Sequence, residues 1–419
     1  MPAPPVSSLV LDFEDARHVV EEHAGRIVAG ETESVDLLAA SGRVISEQIM
    51  ADRHLPPFPR ATRDGYAVRS ADLTEIPASF DVIAEIKAGQ SLERIPTNMG
   101  AGQAASIMTG APVPQCADAV VMVEYTAQNG SRVEISKRVQ HGENIVPIGA
   151  EAKAGSVLIE RGTRLGEAAI ALAASAGKSN LAVYKRPRVA ILTTGDEIVE
   201  VQATPGPTQI RNSNSYSLAT QVRNAGGDPV LLSIAPDEHQ RLRALIEEGL
   251  KCDLLLLTGG VSMGKYDLVE QVFSEMQAEF FFTGAKIQPG KPVVFGRCTR
   301  ANDSAGNAAY FFGLPGNPVS TMVTFELFAR PILEALSGMS PRKLSFVHAK
   351  LKSEIKTKLG LKRFLPAILS GEFEDSQVEL IPWQGSGDIA ATARANCYIV
   401  IPSYRERIST GEFVAILMR

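Results

Sequence analysis

The chain has 419 residues, a length typical of about three domains, and its 45% hydrophobic and 21% charged residues are the balance of a globular protein with ample core. Its net charge of −5 and its lack of a signal sequence or a long apolar run predict no nucleic-acid partner and no membrane span. Four dispersed cysteines without a Cys-x-x-Cys pair argue against disulfides and a thiolate zinc site, and favour the reducing cytoplasm.

The first part of the chain combines helical and β patterns. Residues 12–28 have apolar side chains at helical spacing after Asp12, a predicted N-cap, and residues 34–44 predict a second short helix. From the proline-rich segment at 54–60 to about residue 150, short β-like runs alternate with turn-rich loops. A strand-like run and an Ala-rich helix follow up to residue 185, so we expect the β module to be inserted into another domain.

Strands and helices alternate between residues 186 and 338, which predicts a mainly parallel sheet covered by helices. One helix is expected after Asp237, which has capping-box spacing to Gln240. The tail returns to short strands and predicts a small β-barrel or sandwich. We therefore expect a multidomain α/β and β protein. Its parts are a linker domain (1–54 with 150–185), an inserted β domain (55–149), an α/β domain (186–338) and a C-terminal β-barrel (339–419).

Three predicted strand ends in the α/β domain carry unusual loops. They contain Thr194-Gly195, then Gly259-Gly260 with Ser262, and finally Pro315-Gly316-Asn317-Pro318. Ligands bind at the carboxyl ends of such strands, and glycines expose backbone N–H groups that form anion sites. Each loop alone can be a tight strand-to-helix turn, but three at one sheet edge favour a shared anion pocket, with Asn317 and Pro318 opening a helix.

Carboxylates accompany these loops. Glu197, Asp237 and Asp267 follow the strand ends, and acidic groups beside a phosphate need a bridging cation, so we predict Mg²⁺. A helix cap is the alternative for Asp237, and solvated loop positions are the alternative for the other two. Lys291 lies in a proline-stiffened turn, either as a phosphate contact or as a surface lysine.

Six motifs occur in the order found in one known family. They are LPPFPRATRDGYAVR, IMTGAPVP, TTGDE, TGGVSMGKYD, PGKP and GLPGNPVS, and with the C-terminal WQGSGDI they span nearly the whole chain. In these motifs the chain resembles the MoeA-type molybdopterin molybdenumtransferases.

The resemblance implies an elongated homodimer whose active site lies between the α/β domain of one subunit and the inserted domain of the other. It implies adenylylated molybdopterin and molybdate as substrates, with Mg²⁺-dependent release of AMP as molybdenum joins the dithiolene. It also implies a molybdopterin adenylyltransferase as a candidate partner. By motif, Asp64, Thr109 and Asp267 match catalytic positions, Glu197 and Asp237 match the metal-binding acids, and Ser386 matches a substrate-binding position.

The chain departs from its relatives in its basic residues. Two lysines expected before the Pro-Gly-Lys-Pro motif are replaced by Gly284 and Gln288, and Lys286 lies between them. An arginine-rich stretch of some relatives is also absent, and we expect Arg60 and Arg63 to be the replacements.

Two other functions stay open on the sequence. An adenylyltransferase-like enzyme acting on molybdopterin would use a similar α/β domain, and a non-catalytic dimeric scaffold would use the same fold. The four-part organisation and the retained acidic positions favour the molybdenum-inserting enzyme.

Overall fold

The computed structural model describes residues 9–260, 268–299, 308–340 and 342–419. Its longer helices are Phe13–Arg26, Glu167–Ser175, Asn214–Asn224, His239–Gly249, Leu268–Glu275, Pro318–Thr324, Arg330–Leu336 and Ile389–Arg394. A π-helical turn, Phe325–Ala329, joins the two helices on either side of it. Single 3₁₀ turns lie at Ser70–Asp72, Leu92–Arg94, Val123–Tyr125 and Phe373–Asp375.

The segments on either side of the predicted insert pair with each other. Strand Thr32–Asp36 pairs with Asn180–Tyr184, and Ile49–Met50 pairs with Val157–Ile159, both antiparallel. The helix predicted at 34–44 is therefore wrong. Asp36 ends a strand there, and its carboxylate accepts hydrogen bonds from the next backbone amides, which closes a turn instead of a helix.

The insert is built on a six-stranded sheet. In spatial order its strands are Ala119–Met122, Gly65–Val68, Gln103–Ile107, Ala78–Ile86, Arg132–Ile135 and Thr126–Asn129. Consecutive residues of one strand point to opposite faces of the sheet, so Tyr66 and Ala67 enter two separate hydrophobic clusters. Both faces of this sheet are thus covered, and the short pair Arg60–Ala61 and Ile145–Val146 lies beside it.

A second six-stranded sheet forms the α/β part, as predicted. Its order is Asp228–Leu231, Arg188–Thr193, Leu254–Thr258, Ala308–Leu314, Val294–Thr299 and Glu279–Phe282. The first four strands are parallel, the fifth is antiparallel to them, and the sixth pairs antiparallel with the fifth. The leucine run is buried on both faces, since Leu254 and Leu256 join one cluster and Leu255 and Leu257 the other. Two strands of two residues each, Ile198–Val199 and Ile210–Arg211, pair in parallel beyond the carboxyl edge of the sheet.

The C-terminal part is a closed five-stranded barrel, the first of the two predicted alternatives. Its strands are Phe346–Leu351, Lys362–Ser370, Gln377–Leu380, Cys397–Ile401 and Phe413–Met418, with the pair Ile355–Lys356 and Arg407–Ile408 beside it. Strand Ile287–Gln288 adds in parallel to Lys362–Ser370 and so connects the α/β part to the barrel.

The first helix, Phe13–Arg26, packs on the α/β part although it precedes the linker strands. Its buried Phe13, Ala16 and Val20 belong to the same cluster as the sheet residue Leu254. Strand Val10–Leu11 pairs with Gly284–Ala285 and fixes the start of the helix there. Within the described residues, no helix is both long and apolar enough to cross a membrane.

Candidate active site

The three glycine-bearing loops lie side by side at the carboxyl edge of the parallel strands. The backbone N–H of Thr194 donates to Thr258 O at 3.0 Å, and Gly259 N–H donates to Leu314 O at 3.4 Å. These bonds continue the ladder one residue past the strands, so the loop backbones start from a shared rigid edge. The predicted convergence of the loops is what the structure shows, whereas Ser262 and Asp267 lie outside the described residues.

The paired glycines are required by the neighbouring loop. Gly259 has φ of +91°, and a Cβ there would lie 2.5 Å from the carbonyl oxygen of Thr194. Gly260 has φ of +64°, and its Cβ would lie 2.8 Å from the Thr194 hydroxyl. Because Gly259 and Gly260 have no side chains, Thr194 occupies the space beside them and the two loops are in contact.

Asn214, which the sequence analysis did not single out, ties two of the loops together. Its side-chain amide donates to Thr258 Oγ1 and to Gly316 O, both at 2.8 Å, while Thr258 Oγ1 donates to Pro315 O at 3.2 Å. The only signal in the sequence is an asparagine at the start of the helix after the first loop.

Two buried polar atoms in this network have no hydrogen-bond partner within the described residues. They are Thr194 Oγ1 and Asn214 Oδ1, on residues that are 3% and 8% exposed. Buried polar groups are nearly always paired, so a ligand or a water is the expected partner. The site therefore offers one hydroxyl and one amide oxygen to a polar ligand at the strand ends.

The third loop leads into a helix as predicted. Asn317 takes the N-cap position without a side-chain cap bond, and Pro318 is the first helical residue. The backbone N–H of Val319 donates to Ser386 O at 3.0 Å, so the Gln-Gly-Ser-Gly segment that follows the barrel strand lies against this helix start. Ser386 and the Pro315–Pro318 loop are thus neighbours although they lie far apart in sequence.

Acidic side chains border the first loop. Helix His239–Gly249 has Glu238 at its N-cap, so the predicted capping role of Asp237 is wrong, and Asp237 N–H instead donates to Asp196 Oδ1 at 3.1 Å. Burial, and then the negative charges of Asp196 and Glu197, raise the pKa of Asp237. These carboxylates are close enough to repel one another, which is the electrostatic condition that a bound cation relieves.

The fit to a metal ion rests on few ligands. Among the described residues, no three His, Cys, Asp or Glu side chains converge on one point. Mg²⁺ does not need such a cage, because it keeps several waters and binds through one or two carboxylates together with substrate phosphates. Glu197 and Asp237 can supply those carboxylates.

Asp64 and Thr109 form a hydrogen-bonded pair on the exposed surface of the insert. The backbone N–H and the hydroxyl of Thr109 donate to Asp64 Oδ1 at 2.6 and 2.8 Å. These two bonds lower the pKa of Asp64, so the group stays ionised. Over the described ranges, no hydrogen bond or ion pair joins this pair to the α/β sheet of the same chain.

The basic residues named by the sequence have different surroundings. Lys291 is exposed, and no ion pair to it is found in the described part of the chain. Lys286 pairs with Asp12 at 3.2 Å, and Arg60 pairs with Glu151 at 2.8 Å, so both charges are already matched. Arg63 is exposed, and within the described residues its guanidinium donates only to the carbonyl of its neighbour Thr62, at 3.4 Å.

Arg363, from the barrel, was missed. Its Nε donates to the side-chain oxygen of Gln288 at 2.8 Å, and the residue is 7% exposed. The family resemblance predicts a lysine at Gln288, and the guanidinium of Arg363 brings positive charge from another part of the fold to that position. Burial lowers the pKa of Arg363, but an arginine remains charged at neutral pH.

Comparison with known proteins gives the family. Residues 11–177 match the model "MoeA N-terminal region (domain I and II)", residues 190–335 match "Probable molybdopterin binding domain", and residues 348–418 match "MoeA C-terminal region (domain IV)". The molybdopterin molybdenumtransferase of Bacillus subtilis (strain 168) is 34% identical over 93% of this chain and 90% of that protein. The one from Nostoc sp. is 35% identical over 92% of this chain and 88% of its own length.

Comparison with solved structures points to the same family. A MoeA protein from Pyrococcus horikoshii OT3 superposes with a TM-score of 0.76 at 28% identity, covering 98% of this chain and 100% of its own. That structure thus matches nearly all of the fold described above, including the insert and the barrel. The chain belongs to the MoeA family of molybdopterin molybdenumtransferases.

Proposed function

We propose that this protein inserts molybdenum from molybdate into adenylylated molybdopterin and releases AMP. The observation that carries the proposal is the carboxyl edge of the parallel sheet. Three loops meet there, two buried polar atoms have no partner among the described residues, and carboxylates border the first loop. The phosphate-bearing substrate would lie against Thr194, Gly195, Gly259 and Gly260 on one side, with the Pro315–Pro318 loop and Ser386 on the other.

Mg²⁺ is the cation that we assign to this edge. Glu197 and Asp237 would hold it. The pKa of Asp237 is raised by burial and then by the negative charges of Asp196 and Glu197, and a cation would offset those charges. Bound there, Mg²⁺ would stabilise charge on the phosphate that leaves with AMP. Asp196 accepts a hydrogen bond from the backbone of Asp237 and so positions it.

We assign to Asp64 the orientation of a reacting group near the scissile phosphate. Held ionised by Thr109, it can accept a hydrogen bond from water or from a substrate hydroxyl, but it is a poor proton donor. Because the pair faces solvent on the insert, it would meet the α/β cleft of a second subunit in a homodimer. We propose that Asp267, which the motif places in the acidic set of the α/β domain, also orients a reacting group near the scissile phosphate.

Molybdate needs positive charge near the cleft. Lys291 and Arg363 are the best candidates, since Lys291 lacks an ion-pair partner in the described chain and Arg363 is directed to Gln288. Arg60 is less suited than the sequence indicated, because Glu151 already neutralises it. We further propose that the enzyme works in the cytoplasm and receives its substrate from a molybdopterin adenylyltransferase.

Mixed dimers test whether the site is shared between subunits. The chain carrying Asp64→Asn is co-expressed with a differently tagged chain carrying Glu197→Gln, and the mixed dimer is purified through both tags. In a shared site, one of the two centres regains both carboxylates, so the mixed dimer should keep about half of wild-type activity. An inactive mixed dimer, when each parent is also inactive, would show that Asp64 and Glu197 act within one chain.

A further inference from the structure

Two side chains of the helix Asn214–Asn224 hold the third loop and the helix that follows it. Asn214, in the first turn, donates to Gly316 O at 2.8 Å, as described above. Gln221 lies seven residues later, which is two turns and about 10 Å along the helix axis, so both side chains are on one face. This second contact is remote from the strand ends.

Gln221 makes two hydrogen bonds to the segment after the third loop. Its Nε2 donates to Met322 O at 3.0 Å and to Glu326 Oε1 at 2.8 Å. A reversed amide would place its oxygen against these two acceptors, so the orientation is defined. In it, Gln221 Oε1 is buried and has no hydrogen-bond partner among the described residues. An unpaired buried oxygen disfavours folding, so stability alone does not account for a glutamine at this place.

The helix that follows the third loop is interrupted where Gln221 bonds to it. Pro318–Thr324 is α-helical, and the π-helical turn Phe325–Ala329 comes directly after it. In an α-helix Leu327 O would accept from residue 331, but Pro331 has no N–H, and the guanidinium of Arg17 donates to this oxygen. A helix can change direction at such an interruption. The direction of Pro318–Thr324 therefore depends on side chains that hold it from outside.

The start of the helix Pro318–Thr324 is joined to two parts of the candidate site. The hydroxyl of Thr321 donates to Pro315 O at 2.5 Å. The backbone N–H of Val319 donates to Ser386 O at 3.0 Å. A tilt of this helix would consequently move the third loop and the Ser386 segment relative to the other two loops.

We propose that Gln221 is a positioning residue of this enzyme, which holds the helix Pro318–Thr324 so that the third loop meets the substrate at the productive distance. Asn214 holds the start of that segment and Gln221 its end, and one contact alone would leave the helix free to tilt. Gln221 acts through the helix and not on the substrate. The proposal rests on the function proposed above, because the step that it affects is molybdenum insertion.

The substitution Gln221→Met separates positioning from stability. Methionine keeps the length of the side chain but removes both the N–H donors and the unpaired oxygen. Met322 O still accepts from the backbone N–H of Phe325, and Glu326 still accepts from Arg330 at 2.9 Å. No acceptor loses its last donor, so the urea midpoint of unfolding should change little.

Gln48→Met is the matched control, since Gln48 Nε2 also donates to a carboxylate, Glu160 Oε2, at 2.7 Å, but in the linker part. At a temperature where both variants are fully folded, Gln221→Met should lower kcat for molybdate-dependent AMP release by about tenfold or more, because small misplacements of reacting groups are costly. The control should stay close to wild type. Equal kcat values for the two variants, or a loss of activity matched by a loss of folded protein, would overturn the proposal.

The double variant Asn214→Ala with Gln221→Met tests whether the two contacts act through one helix. Substitutions this far apart, without a shared partner, ordinarily have independent effects. If both residues hold the same helix, the loss of kcat in the double variant should be smaller than the product of the two single losses. Losses that multiply would contradict the shared action.

Crystal structures test the positioning without an activity assay. In Gln221→Met, the third loop should move relative to Thr258, and the 2.8 Å contact of Asn214 Nδ2 with Gly316 O should lengthen. An unmoved loop would overturn the role of Gln221. A wild-type protein that releases no AMP in the presence of molybdate would instead overturn the proposed function, while the structural comparison would still decide whether Gln221 positions the loop.

Discussion

The substitution Gly259→Ala tests how closely the first two loops approach each other. Its Cβ would lie 2.5 Å from Thr194 O, a backbone atom that cannot rotate away, and the residue has φ of +91°. The positive φ alone costs a side chain about 1–2 kcal/mol. Relief of the overlap adds about 1–3 kcal/mol, as for other overpacked sites.

Gly360→Ala is the matched control. Gly360 has φ of +97°, and no atom of the described residues lies within 4 Å of an added Cβ, so the control carries the backbone cost without the overlap. In urea denaturation, Gly259→Ala should lower the free energy of unfolding by about 1–3 kcal/mol more than the control does. If the Thr194 and Gly259 loops move apart by an ångström, molybdate-dependent activity should fall about 100-fold. Equal unfolding energies and unimpaired activity would refute the close approach.

Other predictions concern charge and exposure. Asp196→Asn should bring the raised pKa of Asp237 back toward the ordinary 3.8. The acid limb of the pH–rate profile should then move to lower pH. An unchanged limb would contradict the assignment of Asp237 to the metal site. Because the pKa of Asp237 is raised in the folded protein, its contribution to stability is fully present below the ordinary 3.8 and is lost as pH rises through the raised value. The variant should therefore show a smaller change of stability with pH in that range. Thr109→Val removes one of the two donors that lower the pKa of Asp64 and should shift its NMR titration to higher pH, while Thr109→Ser should not. A thiol reagent should modify Cys116 in the native protein and reach the other three cysteines only on unfolding, because they are buried; rapid modification of all four would contradict the fold.

The sequence was sufficient where a pattern is local. The leucine run before Thr258 is apolar on both faces, so it predicted a buried parallel strand, and the glycines after it marked the strand end. The loops then had to meet, because the carboxyl ends of parallel strands lie on one edge. Asn317 and Pro318 likewise specified the start of their helix.

The features that local sequence patterns did not predict depend on contacts between distant segments. The segment 34–44 has a helical apolar pattern, yet its first residues pair with Asn180–Tyr184, which no local signal reveals. Asn214 ties loops 44 and 102 residues away, at Thr258 and Gly316. The positive charge beside Gln288 comes from Arg363, a residue of the barrel, and no motif near Gln288 predicts that contact.

Coupling between AMP release and molybdenum insertion is the most direct test of the proposed reaction. Purified protein is mixed with adenylylated molybdopterin, Mg²⁺ and molybdate, and AMP and pterin-bound molybdenum are quantified in the same samples. We predict one AMP for each molybdenum inserted, with little AMP formed when either molybdate or Mg²⁺ is left out. AMP release at the same rate without molybdate, or activity that needs ATP and molybdopterin alone, would contradict the assignment of this protein as a molybdenum-inserting enzyme.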